Sequence, residues 1–181
     1  MAIQPILRMG HPNLRTEASD YPVDQIGTDA FSMLIENMRD TLKDAGGIGL
    51  AAPQIDVPFR VVIIDIPEGK SRYGVLSALG FTVLINPVIT VLDESTAGFW
   101  EGCLSVPGLR GYVERPQSIK VSYLDVQGQT IEHEFMGFPA TVVQHELDHL
   151  AGRLYIDHIK DTTLLSFEAE FDRYLAEPSR P

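Results

Sequence analysis

The chain has 181 residues, 44% of them hydrophobic, with 25 acidic against 14 basic side chains and a formal net charge of −11. That length predicts one domain, residues 1–181, with an ample core. The negative charge argues against a phosphate-binding surface, hence against direct nucleic-acid partners, and against anionic membranes.

No apolar run approaches the roughly 20 residues of a membrane span. The N-terminal Met1-Ala-Ile-Gln-Pro-Ile-Leu-Arg8 has neither a signal-peptide nor an Arg/Ser-rich transit layout, so cytoplasmic residence is the expectation. The single cysteine excludes an internal disulfide and fits a reducing compartment. Residues 1–24 read as extended and loop-rich, punctuated by Pro5, Pro12 and Pro22. A first helix is predicted over 28–44, because Phe31, Leu34, Ile35, Met38 and Leu42 keep a helical period and Gly46-Gly47 ends it. Phe59–Ile66 is an apolar, β-branched strand. Residues 67–80 form a Gly/Ser-containing loop with room for short strand pieces. Phe81–Leu92 is another strand, bent or placed at an edge by Asn86-Pro87.

Ser118–Asp125 and Gln129–Phe135 read as a hairpin around Gln127-Gly128. A second helix runs from about Pro139, suited to a first helical position, to Ala151, with Gly152 as its C-cap. A short strand follows at Arg153–Tyr155. Residues 161–176 form a last helix, capped by Asp161 and apolar at Leu164, Phe167, Phe171 and Leu175. The expected fold class is α+β: antiparallel β-strands around the second helix, which the H-E-x-x-H spacing of His145 and His149 marks as a central metal-binding helix, with an N-terminal helix and a C-terminal helix.

The metal assignment rests on His145-Glu-Leu-Asp-His149, an H-E-x-x-H pattern on the second helix. Positions i and i+4 fall about 40° apart on one face, so both imidazoles can aim at one ion with Glu146 beside them. Cys103, in Trp100-Glu-Gly-Cys-Leu-Ser105, is the candidate third ligand. Two histidines and a thiolate leave the fourth tetrahedral position open, the mark of a catalytic site. Each feature alone has a plainer reading: a lone cysteine is most often a small buried hydrophobe, and H-E-x-x-H arises by chance. A third segment, Gly46-Gly-Ile-Gly-Leu-Ala-Ala-Pro-Gln54, permits close backbone approach. It lacks the Lys-Ser/Thr ending of a phosphate loop. Its Gln54 needs partners if buried.

Residues 47–54, 101–105 and 144–150 together resemble the three signature segments of the peptide deformylase family, in the same order and spacing, and the resemblance extends from about Pro5 to about Asp161. It implies that Cys103, His145 and His149 are metal ligands and Glu146 the catalytic acid/base. Gln54 and the backbone N–H of Leu104 match the groups that bind the formyl oxygen. The backbone of Ile48 and Gly49, with Gly47 beside it, matches the edge that pairs with a substrate peptide, and Gly102 lies on the opposite edge. The implied reaction hydrolyses the formyl group of an N-formylmethionyl peptide and releases formate. A bound divalent ion lowers the pKa of its water toward neutrality. Fe²⁺ is the ion the family favours, while Zn²⁺, Ni²⁺ and Co²⁺ also suit two nitrogens and a sulfur.

Phe138, Thr141, Val142 and His145 follow i, i+3, i+4, i+7 and share one helix side. The first three would line a slot for an unbranched side chain, with Phe99 and Ile48 opposite. The same stripe also suits core packing, and for Val142 the two readings weigh equally. By resemblance Arg110 contacts the downstream peptide backbone. Glu101 and Arg115 pair to brace the Cys103 loop, and Asp148 makes a structural hydrogen bond or ion pair. A metzincin protease is the main rival, but its third histidine would fall at Tyr155. A structural metal site would need a fourth ligand, for which only His133 or His158 remain. The expected partners are N-formylmethionyl peptides, met transiently on chains emerging from the ribosome. Asp161, Glu168, Glu170, Asp172 and Glu177, against Arg173 and Arg180, argue against docking on ribosomal RNA through the last helix.

Overall fold

The computed structural model describes residues 2–67, 69–71, 74–76 and 79–176. Helix α1 spans Asp29–Ala45; Thr28 caps it by accepting from the Phe31 N–H, and Gly46 closes it in the left-handed region (φ 64°). Strand β1 (Gly49–Ala51) pairs antiparallel with β2 (Val61–Ile66). A short hairpin, β3 (Gly69–Ser71) with β4 (Gly74–Leu76), lies within the expected loop. The long strands β5 (Leu79–Cys103) and β6 (Val106–Leu124) follow, then β7 (Thr130–Met136). Helix α2 covers Phe138–Leu150, β8 Leu165–Phe167 and α3 Glu168–Tyr174. The sheet order is β1-β2-β5-β6-β7, with β8 on β6.

Strand β2 explains why two helices flank the sheet. Successive side chains of a strand point to opposite faces. Val62 and Ile64 accordingly pack with Val142, Val143 and Leu150 of α2, while Val61 and Ile63 pack with Phe31, Met38 and Leu42 of α1. All four β2 residues are fully buried, each contributing about 1.5–3 kcal/mol by leaving water. Helix α2 ends as its sequence predicts. Gly152 (φ 68°) donates to His149 O at 3.2 Å and Arg153 N–H donates to Asp148 O at 2.9 Å, the paired bonds of a Schellman stop.

Four stretches differ from the sequence reading by more than two residues or in the type of element. Strand β5 does not end at Leu92 but runs on to Cys103, and β6 starts at Val106 rather than Ser118. Residues 93–103 have no strand pattern of their own; pairing such as Phe99↔Val113 and Glu101↔Gly111 makes them extended. Asn86 is the expected bend, at φ 51°. Its side chain accepts from Tyr21 N (2.7 Å) and donates to Tyr21 O (3.0 Å). Arg153–Tyr155 is not a strand: Leu154 and Tyr155 are buried and a 3-10 turn spans Tyr155–His158.

The expected single helix over 161–176 is a 3-10 turn (Thr162–Leu164), then β8, then the short α3. Asp161 caps the turn, accepting from Thr163 N–H at 2.9 Å. The edge of β6 at Leu109–Gly111 takes up residues 165–167, which leaves Phe167 68% exposed and breaks the apolar helical stripe. Glu177 and Arg180 lie outside the described residues. Among the described residues no helix is long and apolar enough to cross a membrane.

Candidate active site

Helix α2 carries His145 and His149 with ring centroids 5.3 Å apart. Cys103 ends β5 at a tight turn through Leu104 and Ser105, closed by the Cys103↔Val106 pair. This turn brings the thiol to the helix, with Sγ 3.3 Å from His149 Nε2. Sulfur and one nitrogen of each histidine all lie within 4.8 Å of one another. Ligands around a tetrahedral ion bonded at 2.0–2.3 Å sit about 3.5 Å apart, so the donor set fits a divalent ion. His133 and His158 are not in this group. His133 stacks on Phe135 at 4.3 Å, and His158 Nε2 lies 3.0 Å from Asp148 Oδ2.

Electrostatics favour the thiolate form of Cys103. Burial pushes the Cys103 thiol up, but His149 and His145 together outweigh it and hold the group well below the usual thiol range. His145 Nδ1 lies 2.7 Å from Glu101 Oε2, which turns Nε2 toward Cys103. Glu101 is in turn held by Arg115, through Nε to Oε1 (2.6 Å) and Nη2 to Oε2 (3.1 Å). Arg115 Nη1 also donates to Asp148 Oδ2 at 2.8 Å. The expected brace and the structural role of Asp148 are therefore parts of one buried network. The direct Glu101–His145 contact was not legible in sequence, because their separation of 44 residues carries no local signal.

Glu146 is 5% exposed, and Oε2 has no hydrogen-bond partner among the described residues. Burial raises its pKa to about 7, against the opposing pull of His145 and His149. Gly49 makes room for it: a Cβ there would fall 2.7 Å from the Glu146 Cδ. Gln54, only 2% exposed, is held in one orientation. Its Oε1 accepts from Ala51 N–H at 2.9 Å, so Nε2 points to Ser105 Oγ (3.1 Å) and Cys103 Sγ (3.6 Å).

These groups open onto a cleft of about 320 Å³. Phe138, Thr141, Val142 and His145 form its α2 wall, and Phe99 and Ile48 border it as well. Phe99 and Phe138 meet edge-on with centroids 5.7 Å apart, and Gln117 Nε2 donates to Thr141 Oγ1 at 3.3 Å. Gly47, Gly49 and Leu104 line the side toward α1, and Gly102 and Arg110 the side toward β6. Strand β1 is the edge of its sheet, bonded to β2 on one side. Trp100 and Glu168 also line the cleft, and no sequence motif singles them out. Glu168 reads in sequence as a solvated helix charge, and only the β6–β8 pairing brings it there. Tyr155, at the rival protease's ligand position, is buried and stacks on the His145 ring at 6.0 Å.

An antiparallel sheet wrapped on an H-E-x-x-H helix, with a Cys/His/His group in an apolar cleft, defines a metal-dependent hydrolase. The chain belongs to the polypeptide deformylase family, whose profile matches residues 3–164. It is 42% identical over 174 residues to a peptide deformylase of Leptospira biflexa, covering 95% of this chain and 96% of the relative. It is 47% identical over 165 residues to peptide deformylase 1 of Bordetella pertussis, covering 91% and 92%. Among solved structures, the Met-Ala-Ser-bound class I type b peptide deformylase of Acinetobacter baumannii superposes with a TM-score of 0.84 at 35% identity, covering 87% of this chain and 99% of that one. The Thermotoga maritima peptide deformylase gives 0.77 at 34%, covering 89% and 100%. The chain is accordingly an enzyme of protein biosynthesis that removes the formyl group from nascent polypeptides.

Proposed function

We propose that Cys103, His145 and His149 hold the metal and that Glu146, Gln54 and Leu104 act on the formyl group. The observation that carries this reading is the thiol 3.3 Å from His149 Nε2, beside a buried carboxylate whose pKa is raised to about 7. When bound, a divalent ion supplies Lewis acidity and lowers the pKa of its water. Glu146 takes a proton from the attacking water and delivers it to the departing amine nitrogen; a group that titrates near neutrality can do both. The Gln54 amide donates to the formyl oxygen as charge develops there, and the Leu104 N–H is the second donor. Because Ala51 fixes the Gln54 amide beforehand, that donation needs little reorganisation in the transition state.

The slot between α2, Phe99 and Ile48 takes the methionine side chain, with Phe138, Thr141 and Val142 as its floor. The backbone of Gly47, Ile48 and Gly49 pairs with the peptide, Gly102 faces it, and Arg110 lies beside the downstream residues. We assign Fe²⁺ as the working ion; Zn²⁺, Ni²⁺ and Co²⁺ suit the same donors. The substrate is an N-formylmethionyl peptide, met transiently as it leaves the ribosome in the cytoplasm. Nucleic acid and membranes are not partners, in keeping with the net charge of −11, and residues 1–181 act as one catalytic domain. Anaerobically purified, Fe²⁺-loaded protein should release formate from formyl-Met-Ala-Ser. An absence of formate from fully loaded protein overturns the assignment.

A further inference from the structure

The family profile ends at residue 164, yet Glu168 borders the cleft. Three contacts bring it there. Strand β8 pairs with β6 through Leu109↔Phe167, Arg110↔Ser166 and Gly111↔Leu165. Trp100, on the cleft wall, packs on Phe171 of α3 with centroids 4.9 Å apart. Arg110 donates to Glu168 Oε1 from Nε (3.1 Å) and Nη2 (2.5 Å).

The ion pair is layered. The Arg110 side chain is 5% exposed and that of Glu168 38%, so the carboxylate covers the guanidinium. Beneath, the guanidinium rests on Gly102, where an added Cβ would fall 2.6 Å from Nη1 and 2.9 Å from Cζ. Gly102 precedes Cys103 and belongs to the groove edge. A guanidinium carries its donors in a rigid fork, so fixing Nε and Nη2 also fixes the direction of the rest.

We propose that Glu168 is a positioning residue for deformylation: it holds Arg110 against Gly102 and thereby orients the guanidinium toward the downstream backbone of the bound peptide. The proposal rests on the reading of the cleft as the deformylation site. It makes the segment beyond the family profile a working part of the substrate groove. A substrate that ends at formylmethionine stays in the slot. A tripeptide adds two residues, about 7 Å of extended chain, and reaches the rim.

The test uses full-length, metal-loaded protein with formyl-Met amide and formyl-Met-Ala-Ser. Glu168→Gln keeps the shape and removes the charge. KM for the tripeptide should rise about 3- to 10-fold and kcat stay within about twofold, the scale of a partly exposed charge-assisted hydrogen bond. Turnover of formyl-Met amide should not change. In an Arg110→Gln background Glu168→Gln should add nothing, because two residues acting through one contact are not additive. An unchanged tripeptide KM, an equal loss on both substrates, or a full Glu168 effect in the Arg110→Gln background overturns the proposal. Wild-type protein that turns over neither substrate sinks the functional reading and the proposal with it, and the wild-type assay alone identifies that case.

Discussion

Glu101 Oε2 lies 2.7 Å from His145 Nδ1 while Arg115 grips both of its oxygens. A carboxylate that fixes the far nitrogen of a histidine sets the tautomer and aim of the near one. Its own pKa stays low, because His145 and Arg115 outweigh the burial that would raise it. Glu101→Gln should therefore weaken metal binding by roughly 10- to 100-fold. Competition with a graded series of chelators measures this. Unchanged affinity would mean that stacking on Tyr155 suffices to orient His145.

Glu146→Gln should keep the ion and lose about 10²–10⁴ of turnover, the range of a general acid–base group. Elemental analysis beside initial rates separates the two. A variant that loses its ion instead would make Glu146 a structural support.

The same residue predicts a pH effect on the metal-free protein. Burial raises the Glu146 pKa from 4.5 to about 7. A group whose pKa is higher in the folded state binds protons there more tightly, so its stabilising effect is full below its unfolded value and fades as pH rises through the folded one. Metal-free protein should thus lose stability between about pH 4.5 and 7, and Glu146→Gln should lose less over that window. Urea midpoints at several pH values, compared between the two proteins, decide it. Equal slopes would contradict the assignment.

Gln54→Ala should lower kcat by about 10²–10³, as expected for one oxyanion donor, with metal content unchanged. Formate release under saturating substrate is the readout. A pure KM effect would place Gln54 in ground-state binding alone.

Gly152→Ala should destabilise the fold by more than the ~1–2 kcal/mol of a left-handed alanine. Besides its φ of 68°, an added Cβ would fall 2.7 Å from the Arg15 carbonyl carbon. The urea midpoint should drop while the slope stays constant. A wild-type midpoint would show that the N-terminal segment yields freely.

Helix α2, its stop at Gly152 and the Cys/His/His group were legible in sequence, because helical period and short fixed spacings are local signals. That Phe138, Thr141 and Val142 share one side of α2 was legible for the same reason, and the structure places all three on the cleft wall. The half of β5 leading to Cys103 was not legible, since Asp93–Gly98 is made of polar and small residues and is held extended by pairing with Ser118, Pro116, Arg115 and Glu114 across the hairpin. The C-terminal segment failed differently. A helical stripe was present in the letters, but the open β6 edge at Leu109–Gly111 claimed residues 165–167 first. Arg110 was expected beside the substrate, but its bond to Glu168 had no local trace.

Trp100 is the only tryptophan in the chain, and it stands on the cleft wall against Phe171 of α3. The enzyme thus carries a built-in fluorophore at the junction of groove and C-terminal segment. Its emission can follow peptide entry and α3 docking in real time, without any label.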